Sequence, residues 1–586
     1  MSSSIYRLFR EDLQKLIDEN ADFWDSFYLA LLPEAEVNVK PITKKILRKH
    51  QQEAKDAVAG VNKGIIILPT GSGKSLIEAA VIEDTIAKNP RAVCVIATPR
   101  IVLTYQLIST TFEYLVSDQI SAKYVNLNTG KMDDDDLKRA MRKYGVVVSG
   151  VISTTDPKVL SDLYQNSNGP IIIGATYQSI GRLLETDIPI DLFICDEAHN
   201  LVTSIGRFSE QAKGDAHAIQ ANSKLFFTAT EAHSEGDNST GMNNSELFGN
   251  VIFRKSPREM IEVGEIVRPF IHIIKIDDKW KLTSTDGFDY DDIENNIEVA
   301  SIFVEQGFLE HQKTVRQNCS LAKSDGQEKI GSKLLVVCRG NPAMLGFLGC
   351  DPEVKQSDVM RRFMEEHKDV KIYGISSEAG AYLNGRLIPS GGNDFKEMFM
   401  SELQNLKDED DVIIFHIDML AEGIDVPGIT GIMSFRDLGN IKACQTFGRA
   451  MRLHRKDRQN IYSGNISANE YEKMIKPCAW VIIPMLASLE SKNGYGRMQK
   501  LAVQMRTEYG FNPLEYANGG AMIGSSEAVQ KDIKLFGSEP WEVELYHEID
   551  NPNFIKDVWE EAEKSGREMM SSIKIVKHIK PNNRRK

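Results

Sequence analysis

Short runs rich in Val and Ile, separated by longer amphipathic segments, constrain the fold of this chain more than any other feature. Runs of this kind are typical of strands that are buried on both faces of a parallel sheet. They occur in two sets, which predict two α/β domains in tandem. The first set comprises Gly64–Leu68, Ala92–Ala97, Val146–Val148, Ile171–Ala175, Leu192–Cys195 and Leu225–Phe227, and the second comprises Lys333–Cys338, Lys371–Ile375, Val412–His416, Gly431–Phe435 and Trp480–Pro484.

Regions of weaker pattern flank and separate the two sets of strands. We predict a small helical N-terminal region over 1–44, a first α/β domain over 45–265, a linker or inserted segment over 266–330, a second α/β domain over 331–490, and a mostly helical C-terminal region with a basic tail over 491–586. Within the second domain, the stretch 378–395 matches no element that the sequence pattern identifies.

Composition excludes several classes of protein. Hydrophobic residues make up 42% of the 586 residues and charged residues 26%, which are ordinary values for a globular protein and exclude global disorder. The seven cysteines form no Cys-x-x-Cys pair, so we expect no disulfide scaffold or zinc ribbon and predict a cytoplasmic or nucleoid-associated protein. No apolar segment is long enough to cross a membrane, and the charged start predicts no signal peptide. The net charge of −13 argues against a wholly basic nucleic-acid binder but permits a local basic groove.

A glycine-rich loop follows the first apolar run and precedes an amphipathic segment. It reads Leu-Pro-Thr-Gly-Ser-Gly-Lys-Ser over 68–75, in the strand–loop–helix context in which backbone N–H groups surround a phosphate. Lys74 would add its charge at the β- and γ-phosphates, and the hydroxyl of Ser75 would face Mg²⁺. Leu68 stands where the general pattern has glycine, so a chance glycine turn is the alternative.

Two acidic residues directly follow a later apolar run. Asp196 and Glu197 begin the sequence Asp-Glu-Ala-His after Leu192–Cys195, which places them at the carboxyl end of a predicted strand. At that position Asp196 can hold Mg²⁺ through water, and Glu197 can polarise an attacking water molecule. The tetrapeptide alone could occur by chance, but its distance downstream of the glycine-rich loop favours a nucleotide hydrolysis site.

With these elements the chain resembles the helicases and translocases of superfamily 2, whose phosphate loop commonly reads Leu-Pro-Thr-Gly-Ser-Gly-Lys as it does here. The resemblance covers about 45–490, where eight elements occur in the family order, although motif IV at Lys333–Gly340 is only loosely matched. The details look nearest the restriction-motor-like DEAH group, which includes the motors of type I and type III restriction enzymes and phage recombination helicases of the UvsW kind. The resemblance implies two RecA-like domains, with ATP and Mg²⁺ as cofactors.

The remaining site residues are implied by this resemblance. It assigns Thr70, Gly71, Ser72, Gly73, Lys74 and Ser75 to the phosphates, Gln51 to the adenine base, Pro99, Arg100, Thr176 and Gln178 to nucleic acid, Thr228 and Thr230 to coupling, Gly423 and Asp425 to the nucleotide, and Gln445, Arg449 and Arg452 to catalysis. Arg449 and Arg452 could instead be surface salt-bridge residues, and Gly423 and Asp425 could form no more than a turn.

The activity implied by the resemblance is that of an ATP-dependent helicase or translocase with nucleic acid as its partner. DNA is favoured over RNA, in branched intermediates of recombination, repair or replication, and the favoured direction is 3′ to 5′. Two alternatives stay open: an ATP-gated module of a larger complex that does not separate strands, and an RNA helicase. Neither terminal region carries a convincing set of nuclease residues, so we predict no cleavage, and no membrane partner is expected.

Overall fold

The computed structural model describes residues 45–116, 120–128, 152–202, 208–234, 240–276, 297–321, 330–390, 395–417, 428–435 and 446–486. The predictions for 1–44, Val146–Val148 and 491–586 lie outside these residues. Two compact units make up the described chain. The first contains the residues up to 66 and those from 73 to 253, and the second contains 67–72 and the residues from 254 onward.

An eight-stranded sheet forms the centre of the first unit. Its strands are β1 (Lys63–Ile67), β2 (Val93–Thr98), β3 (Lys123–Asn126), β4 (Ile152–Ser153), β5 (Ile171–Thr176), β6 (Leu192–Cys195), β7 (Ser223–Thr228) and β8 (Asn250–Arg254). They lie in the order β4-β3-β5-β2-β6-β7-β1-β8, and every neighbouring pair from β4 to β7 is parallel. Every residue of β2 and β5 is buried, which agrees with their continuous apolar sequences.

Helices accompany this sheet in the described part of the first unit. They are α1 (Lys49–Ala57), α2 (Lys74–Lys88), α3 (Ile101–Val116), α4 (Pro157–Asn166), α5 (Glu210–Ala218) and α6 (Ser245–Phe248), with 3₁₀ turns at Ile180–Glu185 and Ala198–Leu201. Helix α2 packs against α3, and α3 packs in turn on β2 and β5. Helix α4 begins at Pro157 because the Asp156 side chain accepts a hydrogen bond from the Lys158 N–H and proline suits the first helical position.

The second unit is built around another eight-stranded sheet. Its strands are β9 (Arg268–Ile276), β10 (Lys333–Val337), β11 (Lys371–Ser376), β12 (Gly380–Leu383), β13 (Arg386–Ile388), β14 (Val412–His416), β15 (Gly431–Ser434) and β16 (Cys478–Leu486). They lie in the order β13-β12-β11-β14-β10-β15-β16-β9, and the pairs from β11 to β9 are parallel.

Apolar cores cover both faces of the second sheet. One core includes Phe399, Ile414 and Ile432, and the other includes Phe303 and Trp480. The described helices of this unit are α7 (Pro257–Glu262), α8 (Ile297–Leu321), α9 (Asn341–Leu348), α10 (Asp358–Glu366), α11 (Phe395–Gln404) and α12 (Arg455–Tyr462), with a 3₁₀ turn at Tyr471–Lys473.

The segment 266–330 differs from the predicted linker. Strand β9 pairs with β16 in parallel along nine residues and forms the edge of the second sheet. Helix α8 contributes Phe303 and Phe308 to one core of the same unit. Residues 254–265, which the sequence pattern placed in the first domain, also belong to the second unit. The described parts of this segment are therefore integral to the second domain, because their backbone and apolar side chains complete its sheet and core.

The stretch 378–395, which the sequence left unassigned, contains an antiparallel hairpin. Strands β12 and β13 pair with each other, and β12 pairs with β11, so the hairpin extends the second sheet at the edge opposite β9. Asn384 and Gly385 form the two-residue turn with φ values of 43° and 107°. Asn-Gly is favoured in such turns because both positions need the left-handed conformation.

Two α/β domains with largely parallel sheets are thus confirmed, in agreement with the predicted tandem RecA-like architecture. Within the described residues, no helix is long and apolar enough to span a membrane.

Candidate active site

The glycine-rich loop leads directly into α2. Gly71 and Gly73 have φ values of 88° and 82°, a region that glycine enters without the strain imposed by a Cβ atom. Lys74 and Ser75 are the first two residues of the helix. The helix N-terminus therefore adds backbone N–H groups and a partial positive charge to the charge of Lys74. This arrangement can bind a phosphate group.

Gln51 connects α1 to this loop. Its Oε1 accepts a hydrogen bond of 2.9 Å from the Arg48 N–H, and its Nε2 donates one of 3.0 Å to the carbonyl oxygen of Gly73. The side chain is fully buried. A Cβ atom at position 73 would lie 2.5 Å from this Nε2, which is a second reason for glycine there. The contacts position the loop, while the base contact predicted for Gln51 stays a proposal.

Asp196 and Glu197 lie where β6 ends. The Asp196 N–H donates a hydrogen bond of 2.9 Å to the carbonyl oxygen of Ala97 at the neighbouring strand end. The carbonyl oxygen of Asp196 in turn accepts a hydrogen bond of 2.6 Å from the Tyr177 hydroxyl. Glu197 adopts a φ of 49°, a left-handed conformation that is unfavourable for a residue other than glycine. Such strain is concentrated at functional sites, so it supports a role for this turn beyond packing.

In the first unit, Lys74 lies close to the carboxyl groups of Glu78, Asp196 and Glu197, because these charges act on the pKa values of Glu78 and Asp196. The pKa of Asp196 is raised to about 7, mainly by burial and also by the charge of Glu197, while the charge of Lys74 opposes the rise. Burial and then the charge of Asp196 hold the pKa of Glu78 well above its usual range. Glu78 belongs to none of the predicted motifs, and its only signal in the sequence is an acidic residue within an apolar stretch of α2, four residues after Lys74.

The oxygen atoms of Ser75, Asp196 and Glu197 suit Mg²⁺ as ligands. Asp196 Oδ1 and Glu197 Oε2 are buried and have no hydrogen-bond partner among the described residues, and Ser75 adds a hydroxyl. Mg²⁺ prefers oxygen ligands and usually binds one or two carboxylates together with substrate phosphates and water. In the part of the chain that the structure describes, no three His, Cys, Asp or Glu residues form a complete metal cage. The set therefore suits a metal that arrives with a nucleotide.

His199 joins the acidic turn to the end of β7. Its Nδ1 lies 3.0 Å from Thr228 Oγ1, and the Thr228 hydroxyl donates a hydrogen bond of 2.7 Å to the carbonyl oxygen of Thr230. His199 Nδ1 must then carry the proton, which leaves Nε2 to accept from the Asn200 amide at 3.1 Å. The predicted coupling residues Thr228 and Thr230 are thus connected to the Asp-Glu-Ala-His segment by side-chain hydrogen bonds.

The predicted nucleic-acid residues of the first unit lie at two adjacent strand ends. Pro99 and Arg100 follow β2, and Thr176 ends the neighbouring β5, whose last residue pairs with the last residue of β2. Gln178 is exposed, Arg100 is half-buried, and Pro99 and Thr176 are buried. The Thr176 N–H donates a hydrogen bond of 2.8 Å to Oδ1 of Asn128, which belongs to none of the predicted motifs. The structure brings these residues together, while their contact with nucleic acid stays a proposal.

Arg449 and Arg452 belong to the second unit. Arg449 is buried, which does not fit a surface salt bridge, and burial together with Arg458 lowers the pKa of Arg452 to about 10. Lys476 Nζ donates a hydrogen bond of 2.8 Å to the carbonyl oxygen of Arg452 and a second hydrogen bond to the carbonyl oxygen of Ala450. Together they fix the backbone around the two arginines. Gln445, Gly423 and Asp425 lie outside the described residues.

Residues 67–72 of the glycine-rich loop group with the second unit. A Cβ atom at Gly71 would lie 3.2 Å from Arg452 Cγ, and one at Gly448 would lie 2.6 Å from Thr70 Cβ. Glycine at both positions permits this close approach. Two of the predicted phosphate-binding residues are therefore in contact with the segment that contains the predicted catalytic arginines.

Comparison with known proteins finds a family model that matches the first part of this chain. Residues 44–233 match the family model described as the res subunit of type III restriction enzymes. This range contains the phosphate loop, Asp196, Glu197, Thr228 and Thr230. This part of the chain is similar to the motor subunits of type III restriction enzymes. The resemblance inferred from the sequence is thereby confirmed.

Individual relatives extend this result. A probable helicase of African swine fever virus is 34% identical over 116 residues, which is 19% of this chain and 12% of the relative. The ATP-dependent Type ISP restriction-modification enzyme LlaBIII, solved bound to DNA, matches with a TM-score of 0.53 at 14% identity, covering 80% of this chain and 30% of that one. The second likeness supports the fold. This chain spans less than a third of either relative.

Proposed function

We propose that this protein is an ATP-dependent DNA helicase or translocase that moves 3′ to 5′ and remodels branched DNA in recombination, repair or replication. The observation that carries the proposal is the meeting of Lys74, Asp196 and Glu197 within the first unit, where the charge of Lys74 acts on Asp196. A helix N-terminus with a lysine and two carboxylates at a strand end is the arrangement that phosphoryl transfer needs.

Each residue has a distinct role in this proposal. Lys74 neutralises the β- and γ-phosphates, and Glu197 orients the attacking water and accepts its proton. Arg449 and Arg452 stabilise the charge that spreads over the transferring phosphoryl group. Mg²⁺, held by Ser75 and Asp196, would supply further neutralisation of the phosphates.

DNA is proposed over RNA on the strength of two findings. The matching family model describes a restriction enzyme subunit, and LlaBIII is solved bound to DNA. Backbone phosphates are the main contact expected at the ends of β2 and β5, so the binding should be largely independent of sequence and sensitive to salt. The 3′ to 5′ direction and the branched substrate come from the resemblance to the phage recombination helicases.

ATP hydrolysis measured with matched nucleic acids tests the proposal. We expect single-stranded DNA or forked DNA to stimulate turnover of the wild-type protein more than RNA of the same length. Stimulation by RNA alone would favour an RNA helicase. A strand-displacement assay on forked and blunt duplexes separates the motor from the ATP-gated module, which would hydrolyse ATP without displacing a strand. The absence of stimulation by any nucleic acid would contradict both.

A further inference from the structure

Glu78 interrupts the apolar face by which α2 packs into the first unit. Ile77, Ala79 and Ala80 beside it are completely buried, and Glu78 itself is 1% exposed. It follows Lys74 by four residues and Ser75 by three, spacings that place side chains on one helix face. Helical side chains lean toward the helix N-terminus, so the Glu78 carboxylate points back toward the phosphate-binding end of α2.

The Glu78 carboxyl group finds no N–H or hydroxyl donor among the described residues. Both of its oxygens are buried without a hydrogen-bond partner in the described residues, as is Asp196 Oδ1. The Glu78 and Asp196 carboxyl groups are within hydrogen-bonding reach of each other, and a hydrogen bond between them requires that one of the two carries a proton. The charge of Lys74 acts favourably on Glu78, and the charge of Glu197 acts unfavourably. Three carboxyl groups thus share this place with one lysine, and the buried oxygens of Glu78 are acceptors that no N–H or hydroxyl of the described residues fills.

A hydrated divalent cation supplies what these acceptors lack. Mg²⁺ gives up its water reluctantly and keeps several bound water molecules, whose hydrogens need acceptors. Carboxylates that accept from cation-bound groups orient the inner ligands and strengthen binding. A place among the direct ligands is disfavoured, because the described residues contain no three-residue cage for a metal.

We propose that Glu78 is a positioning residue of the cation site, where it accepts a hydrogen bond from a water molecule bound to the divalent cation that Ser75 and Asp196 hold. This inference rests on the proposed ATP site. It adds a third carboxylate that the resemblance does not assign, and it explains why an acidic residue is buried in the apolar face of α2.

Cation binding tests this role without relying on hydrolysis. Mn²⁺ replaces Mg²⁺ as the probe, and electron paramagnetic resonance measures free Mn²⁺ as it is titrated into the full-length protein saturated with ADP. We expect Glu78→Gln to weaken Mn²⁺ binding by roughly 10- to 100-fold, the range seen when residues that orient metal ligands are replaced. Binding of ADP in the presence of EDTA should be unchanged. Glu83→Gln, which makes the same change at a half-buried position further along α2, should bind Mn²⁺ like the wild type.

Thermal unfolding in EDTA separates this role from a structural one. Glu78→Gln replaces a buried acid by a neutral amide that can still donate to Asp196, so it should unfold at the wild-type temperature or above. Wild-type Mn²⁺ affinity in this variant, with ADP binding intact, would overturn the inference and leave the proposed function standing. Unfolding at a lower temperature together with loss of ADP binding would also overturn it, because Glu78 would then be needed for the fold. A wild-type protein that fails to bind ADP would contradict the proposed function itself.

Discussion

Replacement of Tyr177 by Phe should destabilise the first unit through the loss of a single buried hydrogen bond. The Tyr177 hydroxyl is fully buried and donates 2.6 Å to the carbonyl of Asp196. Phe keeps the ring but leaves that carbonyl without this donor, a loss that costs about 1–3 kcal/mol. For a domain of about 150–250 residues, each kcal/mol lowers the unfolding temperature by about 2–4 °C. We therefore expect a decrease of roughly 2–12 °C for Tyr177→Phe, measured by circular dichroism without nucleotide.

Tyr124→Phe provides a matched control in the same unit. The Tyr124 hydroxyl is also buried, but it has no hydrogen-bond partner among the described residues. The ring packs edge-on against Phe112 with centroids 5.6 Å apart, and Phe would keep this contact. Removal of an unsatisfied buried hydroxyl is neutral or stabilising. Equal changes in unfolding temperature for the two variants would refute the reasoning, because the hydrogen bond to Asp196 would then contribute nothing.

The same substitution has a functional consequence. Tyr177 stands between Thr176 and Gln178, the predicted nucleic-acid residues, and its hydroxyl donates a hydrogen bond to the backbone of Asp196, a proposed catalytic residue. Its loss should lower nucleic-acid-stimulated ATP hydrolysis more than the basal rate. A proportional decrease in both rates would assign Tyr177 to stability alone.

Other substitutions test separate parts of the site. Lys74→Ala should abolish hydrolysis while circular dichroism shows an intact fold, and retained stimulated turnover would contradict the ATP site. Glu197→Gln should bind ATP, measured with a fluorescent analogue, but hydrolyse it slowly; near-normal turnover would transfer its role to Asp196. Arg449→Ala and Arg452→Ala should each lower the steady-state rate by up to roughly 10³–10⁵ with little effect on ATP affinity, and near-wild-type rates would remove both from the mechanism. Because burial raises the pKa of Asp196, the folded protein keeps a proton that the unfolded chain releases near pH 4. The free energy of unfolding without nucleotide should therefore fall as the pH rises from about 4 to 7, and Asp196→Asn should reduce this fall in melts at several pH values.

The central strands could be predicted from the sequence because their signal is local. Leu192–Cys195 was predicted at its observed bounds, and the predicted Ile171–Ala175 ends one residue before β5 does. Both strands are buried along their length, so no polar position interrupts the pattern. Strand β9 was missed because it begins with Arg268 and Pro269 and finds its partner about two hundred residues later, in β16. Pairing over that separation leaves no signature in either segment alone.

The candidate site divides in the same way. The glycine-rich loop and the Asp-Glu-Ala-His segment are contiguous motifs, so their residues could be named in advance. Tyr177 and Asn128 could not, because each is distinguished by a neighbour distant in sequence, and Glu78 offers only the weaker signal of an acidic residue in an apolar stretch of α2. The Tyr177 hydroxyl matters through the carbonyl of Asp196, and Asn128 through the N–H of Thr176.

Hydrogen bonds of this kind also bear on how ATP hydrolysis could be coupled to movement. Within the first unit, Asn128 holds Thr176, the adjacent Tyr177 holds Asp196, and His199 holds Thr228. These hydrogen bonds link the ends of β3, β5, β6 and β7. A displacement at one strand end would therefore stretch or bend the hydrogen bond that joins it to the next. Each of these hydrogen bonds joins a side chain to a group at another strand end. None of the three is a solvent-exposed ion pair, an interaction that salt would weaken by screening. Coupling through this set should consequently persist as salt rises, while nucleic-acid affinity falls. ATPase rates measured at saturating DNA over a range of salt concentrations would distinguish the two effects: a stimulated rate that falls in parallel with affinity, even when the DNA is kept saturating, would place the coupling in surface charges instead.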